Sequence, residues 1–278
     1  MSQGVIDLGP GQGSYGIAAH PSLRGALTVF RSQSAGGRTA YPFCLVERPS
    51  VEGPGAADGE PRRGLRQLQL ASETDNAFFR LFGDSTAAAI YLVQLYGAVS
   101  DIYMRELNIR IDLVYARVWP QANEPFGASL SAFQAYWNAN MGSVQRDAAQ
   151  MLSGRAELPG GVAYVSALCG GSAYGFCGNA LGYFADPRTS SVINYDPMVT
   201  AHELGHVCGT LHTQDYGLDH CDQVAATPQR GTIMSYCNQT ISGAQSVIDM
   251  GFHKVTRNAV FQHVASVSCI AFDCNQNG

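Results

Sequence analysis

The chain has 278 residues, of which 46% are hydrophobic and 14% charged, and its net charge is −5. This length is enough for one large or two small domains with a sizeable buried core. Lys and Arg form no cluster, which argues against nucleic acid as a partner. The longest apolar run, at 87–99, is interrupted by Gln94 and Gly97. We therefore expect an amphipathic helix there and no membrane span.

Cysteine usage points to an oxidising compartment. The eight cysteines form no CxxC pair and have no zinc-finger spacing, a pattern typical of disulfides. We therefore expect a secreted protein. Residues 1–16 lack the apolar core of a signal peptide, which suggests either a chain trimmed to its mature part or a gene start placed too late.

Residues 1–64 form an N-terminal segment rich in Gly, Pro and Ser, in which we interpret 49–64 as a linker. Whether this segment is a pro-segment remnant stays open on the sequence. Period-two alternation predicts strands, and apolar residues three or four apart predict helices. We expect strands at 26–31, 41–46, 66–72, 108–119, 161–168, 179–185 and 191–195, and helices at 85–107, 129–152 and 257–267. Strands separated by long helices indicate an α/β sheet.

Residues 202–212, HELGHVCGTLH, carry the chemistry. His202 and His206 are four residues apart, so on a helix they share one face and can reach one metal ion. Glu203 lies beside the first ligand, where it can act as the general base toward a water molecule.

The flanking residues predict where this helix starts and stops. Asp196 is a suitable cap and Pro197 suits the first helical position. Gly209 can adopt a left-handed conformation that ends the helix and lets His212 return as a third ligand. Three histidines leave a fourth position open, which is the arrangement of catalytic rather than structural zinc.

The pattern HExxHxxGxxH followed by a methionine turn resembles the metzincin metallopeptidases. Residues 231–236, GTIMSY, match that turn, so the resemblance implies that Met234 lies beneath the zinc. Further segments are similar to the reprolysin or adamalysin group, particularly the bacterial reprolysin-like proteases. These segments are 103–107, 161–169, 231–237 and 252–270.

The resemblance implies an α/β (α+β) metzincin domain at 65–272. Its upper part, to about residue 209, should contain a twisted mixed sheet, long helices and the active-site helix. Its small irregular lower part, 210–272, should end in a C-terminal helix. The resemblance also implies that peptide substrate adds as a strand along an edge strand at 181–185.

Two residues depart from the reprolysin pattern. Thr213 stands where snake-venom and animal reprolysins usually place Asp. Tyr236 is similar instead to the tyrosine of astacins and serralysins, which binds zinc and then swings to the transition state. The resemblance therefore implies a catalytic role for Tyr236.

The adamalysin pattern implies a disulfide between Cys169 and Cys269. Joining Cys221 to Cys237 would brace the chain between the third ligand and the methionine turn. Cys177 and Cys208 have no counterpart in that pattern, so either they pair with each other or Cys208 is a buried free thiol. Cys44 is either a latency thiol that blocks the zinc or a structural cysteine.

We thus expect a monomeric, secreted, zinc-dependent endopeptidase that hydrolyses internal peptide bonds. The alternatives are a non-catalytic adhesion or binding module on this fold and a structural zinc domain. Residues 273–278, DCNQNG, resemble the start of a calcium-binding repeat. They lack the later acidic ligands, so we do not expect calcium to bind there.

Overall fold

A five-stranded mixed sheet forms the centre of the computed structural model. The structure describes residues 64–158, 160–191, 193–221, 230–237 and 248–272, and gives only the backbone of four strands before residue 64 and of residues 271–272. The five strands, in spatial order, are β6 (Ile109–Arg117), β5 (Arg66–Thr74), β7 (Ala148–Leu152), β9 (Tyr174–Gly178) and β8 (Gly160–Tyr164). Only β8 runs antiparallel to its neighbour among these five.

Short strands extend this sheet or lie outside it. β12 (Ala271–Phe272) pairs with the start of β5, and β4 (Cys44–Glu47) pairs in parallel with β8. The remaining strands are β1 (Gly4–Asp7), β2 (Ser14–Ala19) and β3 (Leu27–Arg31), which form an antiparallel sheet, and the parallel pair β10 (Gly231–Thr232) and β11 (Ile248–Asp249). The expected α/β fold with a mixed sheet is confirmed.

Five α-helices lie in the described part of the chain and pack on the sheet or on one another. They are α1 (Asn76–Phe82), α2 (Ser85–Leu107), α3 (Leu130–Asn140), α4 (Tyr195–Val207) and α5 (Lys254–Ser266). A larger apolar core contains residues of α2, α4 and α5, and a smaller cluster around Trp137 and Phe133 of α3 includes residues of β7 and β9. The sheet therefore has a buried partner on each face.

α2 has the boundaries that the sequence predicts. Asp84 caps its first turn by accepting a hydrogen bond from Ala87 N at 2.8 Å, and Asn108 ends it in the left-handed conformation. Within the described residues, α2 is the one helix long and apolar enough to cross a membrane on length and composition alone. Its apolar residues, such as Leu92 and Val99, are instead buried in the larger core.

The helix predicted at 129–152 is wrong in its second half. α3 ends at Asn140, and the last residues of the predicted range form β7, in which every residue is buried. A short continuous apolar run such as AAQML fits a buried strand and a buried helix equally well, so periodicity alone cannot separate them.

The strands predicted at 179–185 and 191–195 are absent from the residues described there. The strand in this part of the chain is instead β9, which lies between β7 and β8 in the sheet. Its sequence, YGFCG, contains two glycines and therefore has a weak strand signal.

The structure joins Cys169 to Cys269 and Cys221 to Cys237, with Cα atoms 5.9 and 4.8 Å apart. These are the two pairs expected. The third pairing is wrong, because Cys177 and Cys208 are both free and buried. Burial raises the pKa of both thiols, which makes them unreactive. The side chain of Cys44 lies outside the described residues.

The buried carboxylate of Asp75 fixes the end of β5 to the segment after β7. It caps α1 by accepting a hydrogen bond from Phe78 N at 2.8 Å, and accepts others from Ser153 Oγ and from Gly154 N at 3.1 Å. Arg155 forms an ion pair with it at 3.2 Å. Removing this carboxylate would leave several buried donors without an acceptor.

We therefore expect Asp75→Ala to lower the free energy of unfolding by about 3–5 kcal/mol. The substitution leaves the buried hydrogen-bond donors without their acceptor and Arg155 without this ion-pair partner. The matched control is Asp84→Ala, which removes the exposed cap of α2 and should cost about 1 kcal/mol. Urea titration measures both. Equal losses in the two variants would contradict the importance of burial at Asp75.

Candidate metal centre

The helix α4 carries His202, Glu203 and His206, and all three side chains are completely buried. Hydrogen bonds from the core hold this helix in place. Tyr103 of α2 donates to Ala201 O at 2.9 Å, and Gln150 of β7 donates to Thr200 O at 3.0 Å. These bonds fix the turn that immediately precedes His202.

The ends of α4 differ in part from the prediction. Its N-terminal cap position is Asn194, which makes no side-chain capping bond, while Asp196 lies in the first turn. Gly209 follows the helix with φ of +110°, in the region that favours glycine. A Cβ at this position would also collide with His263. The chain can therefore reverse here and bring His212 back toward the helix.

The three histidines converge through their Nε2 atoms. His206 Nε2 lies 3.1 Å from both His202 Nε2 and His212 Nε2. Nitrogens bound tetrahedrally to one zinc ion at about 2.0–2.1 Å would lie roughly 3.3–3.4 Å apart. The three rings can therefore hold a zinc ion with little adjustment.

The outer ring nitrogens determine which tautomer is present. His202 Nδ1 lies 2.6 Å from Ile233 O, and His206 Nδ1 lies 2.7 Å from Thr210 O. A carbonyl oxygen can only accept, so both Nδ1 atoms carry the hydrogen and both Nε2 atoms carry a lone pair. Lone pairs that face each other repel, and a shared cation removes that repulsion.

At neutral pH, protonation of these histidines does not relieve the repulsion between their lone pairs. Burial lowers the pKa of His202 well below its usual range, and His206 beside it lowers it further. Burial also lowers the pKa of His206 to about 4. The pKa of His212 is lowered by burial and by both other histidines. All three rings are therefore neutral, which is the form that binds zinc.

Met234 packs against the helix α4. It is completely buried, and a Cβ added to Gly205 would come within 2.8 Å of its sulfur. The turn is tied to the segment after His212 by Thr213, whose N–H donates to Met234 O at 3.0 Å. Gly205, which lies between His202 and His206, thus allows α4 to pack closely on this turn.

Tyr236 lies beside the histidines. Its ring centroid is 4.4 Å from that of His212 and 6.5 Å from that of His202. The ring therefore stands next to the histidines, and it also packs against the larger apolar core.

The strand β8 runs past the buried carboxylate of Glu203. A Cβ added to Gly161 would come within 2.5 Å of Glu203 Oε1. On the other edge of β8, the backbone of Cys44 is the register partner of Gly161. The strand β4 thus lies along the edge of β8 that faces away from β9.

The edge strand predicted at 181–185 is wrong. The N–H groups of Leu181 and Gly182 donate to Asp196, at 2.8 and 3.0 Å, and Ala185 N donates to Asn194 Oδ1 at 2.8 Å. Because side chains take these donors, the segment forms no ladder. Tyr91 OH also lies 2.5 Å from Asp196, whose pKa burial raises to about 6 although these hydrogen bonds oppose the rise.

Among the described residues, two other groups have metal-ligand spacing. They are Asp147 with Cys169 and Cys269, and Asp219 with Cys221 and Cys237. Both contain the sulfurs of a disulfide, which have no thiolate to offer a metal. The histidine group is therefore the credible metal site in the part of the chain described.

The sequence reasoning missed three residues around this site, namely Gly161, Asp196 and Asp215, whose carboxylate lies 3.4 Å from His212 Nδ1. A buried acid in the first helical turn was recognised only as a cap. Asp215 stands three residues after His212, a spacing at which a turn can bring its carboxylate back to the ring. That spacing was the available signal for Asp215, whereas none marked Gly161.

A model of metallopeptidase family M12, of the reprolysin type, matches residues 64–247. The chain belongs to this family of metallopeptidases. No curated protein sequence matches the chain significantly. The matched range contains α4, all three histidines and Met234.

The close contact between Gly205 and Met234 can be tested by substitution. We expect Gly205→Ala to lower the free energy of unfolding by about 1–3 kcal/mol, because the added methyl overpacks the turn. Gly97→Ala is the control, since its Cβ meets nothing within 4 Å in α2. It should stabilise the protein by about 0.5–1 kcal/mol. Urea denaturation measures both changes. If both substitutions stabilise the protein, the side chain of Met234 can move aside for the added methyl and the predicted overpacking is contradicted.

Proposed function

We propose that the protein is a secreted, zinc-dependent endopeptidase that hydrolyses internal peptide bonds. The observation that carries this proposal is the convergence of three neutral imidazole nitrogens beside a buried glutamate. Membership of family M12 supports proteolysis, and the two disulfides support an extracellular location. The boundaries 1–64, 65–272 and 273–278 remain predictions, and 273–278 lies outside the described residues.

His202, His206 and His212 would hold the zinc through their Nε2 atoms. A zinc ion bound there would lower the pKa of water to roughly 7 and would polarise a peptide carbonyl. Glu203 would accept the proton from the attacking water and pass it to the leaving amine nitrogen. Its burial removes competing solvent and strengthens its interaction with the reacting groups.

We expect Glu203→Gln to lower kcat/KM for a quenched fluorescent peptide by at least about 100-fold, because the base is lost. The variant should keep its zinc, since the histidines remain. His206→Ala should lose both zinc and activity. Metal analysis and the peptide assay, each with and without a chelator, check these results. Unimpaired hydrolysis by Glu203→Gln would refute the mechanism.

Tyr236 would act on the oxygen that develops charge in the transition state. Its ring stands against His212, which supports a role for this residue next to the metal site.

Tyr236→Phe should lower kcat by about 100-fold with little change in KM, because the hydroxyl acts mainly in the transition state. The control is Tyr136→Phe, whose ring belongs to the cluster on the other side of the sheet. Steady-state kinetics at several substrate concentrations separate the two constants. A rise in KM with unchanged kcat would contradict the proposed role.

The substrate would bind as an extended strand along the outer edge of β8, which passes Glu203 at Gly161. The backbone of Cys44–Glu47 pairs with that edge over four register positions, from Gly161 to Tyr164. Peptide and β4 would therefore compete for the same backbone groups. We propose that the segment before residue 64 restrains the enzyme until β4 leaves.

Proline cannot donate to a ladder, so Leu45→Pro and Val46→Pro should weaken β4 pairing and raise the rate of peptide hydrolysis by the full chain. The control is Val29→Pro in β3, which belongs to a different sheet. Initial rates at low substrate concentration measure the effect. Equal rates in wild type and both β4 variants would exclude restraint by this strand.

The alternative of a non-catalytic adhesion or binding module is weaker. Loss of catalysis on such a fold is expected to show as a lost ligand or a lost glutamate. Here Glu203 and the three histidines are all present and brought together.

A further inference from the structure

The three histidines differ in what holds their outer nitrogens. Backbone carbonyls of Ile233 and Thr210 accept from His202 and His206. His212 Nδ1 instead lies 3.4 Å from a carboxylate oxygen of Asp215. The third ring is thus the one whose outer partner is a side chain, and a single substitution can remove that partner.

We propose that Asp215 is a positioning residue for His212, which orients the ring and increases its basicity toward the metal. This rests on the proposed function, because it requires that the histidines bind zinc. A carboxylate that accepts from the outer nitrogen of a ligating histidine fixes its tautomer and raises its donor strength.

The local fold supports this assignment. The same Asp215 oxygen accepts from the backbone N–H of His212 at 3.2 Å, and Asp215 N donates back to His212 O at 3.2 Å. The short 3-10 helix Gln214–Tyr216 thus places the carboxylate of Asp215 beside the outer nitrogen of the His212 ring. The side chain is 34% exposed, so its charge stays solvated while it faces a buried ring.

Thr213 has a different task. Its hydroxyl donates to Met234 O at 3.3 Å, so the residue directly after the third histidine serves the methionine turn. The carboxylate at the ring comes from two residues further along the chain. This division accounts for the absence of an acid at position 213.

A neighbouring residue provides a matched structural control. Tyr216 OH accepts from Leu211 N at 3.2 Å and lies 3.4 Å from Thr210 Oγ1. It therefore holds the backbone of the same segment, and the structure gives it no contact with the His212 ring. Asp219, which accepts from Cys221 N at 3.1 Å, provides a second control for the loss of one negative charge nearby.

The test compares zinc affinity of the full-length wild type with Asp215→Asn, Tyr216→Phe and Asp219→Asn, by competition of each metal-free protein with a chromophoric chelator. We expect Asp215→Asn to weaken zinc binding by about 10-fold or more, within the 10–100-fold range for such outer partners. Both controls should stay close to wild type. In the zinc-loaded protein, the Nδ1 proton resonance of His212 should move upfield in Asp215→Asn alone, while those of His202 and His206 stay in place.

The outcomes are distinguishable. If wild type binds zinc and Asp215→Asn binds it equally, with the His212 resonance unmoved, this inference is overturned and the zinc site stands. Equal weakening by Tyr216→Phe would reduce Asp215 to a structural role, and equal weakening by Asp219→Asn would reduce it to a general charge effect. If wild type binds no zinc, the proposed function itself fails.

Discussion

Three imidazole lone pairs face one another in a buried space, and this repulsive arrangement is the constraint on which the rest of the site depends. Neighbouring Nε2 atoms are 3.1 Å apart, and burial prevents their protonation at neutral pH. The protein must therefore hold the rings from outside, through Nδ1. The Nδ1 atoms of His202 and His206 lie 2.6 and 2.7 Å from backbone carbonyl oxygens, and that of His212 lies 3.4 Å from the carboxylate of Asp215, so the three rings form a group that can hold a divalent cation.

Close packing around α4 follows from the same constraint. A ligand helix keeps its rings in register only if it cannot shift, and glycine lets its neighbours approach most closely. Gly205 rests on the sulfur of Met234, and Gly161 of β8 lies against Glu203. Hydrogen bonds from Tyr103 and Gln150 fix the preceding turn to the core. The sheet thus serves chiefly to hold one helix in position.

The features that the sequence predicts correctly are those that depend on the local spacing of residues. The spacing of His202, His206 and His212 predicted the group that converges in the structure, and the apolar periodicity at 85–107 predicted α2 to the residue. Sequence reasoning failed where tertiary contacts decided the outcome. The segment at 181–185 forms no strand because Asp196 and Asn194 take its N–H groups. For Cys177 and Cys208 the sequence left a disulfide and a buried free thiol as alternatives, and the structure has both thiols free and buried. Asp215 reaches His212 through a turn that no periodic pattern encodes.

The most direct test of the account is X-ray absorption at the zinc edge on the purified full-length protein, combined with its metal content. The account predicts one zinc per chain with three imidazole nitrogens at about 2.0–2.1 Å. In the same measurement, the His212→Ala variant should show one imidazole fewer around the zinc, or no bound zinc at all. A protein that binds no zinc, or binds it with an imidazole shell that His212→Ala leaves unchanged, would contradict the account.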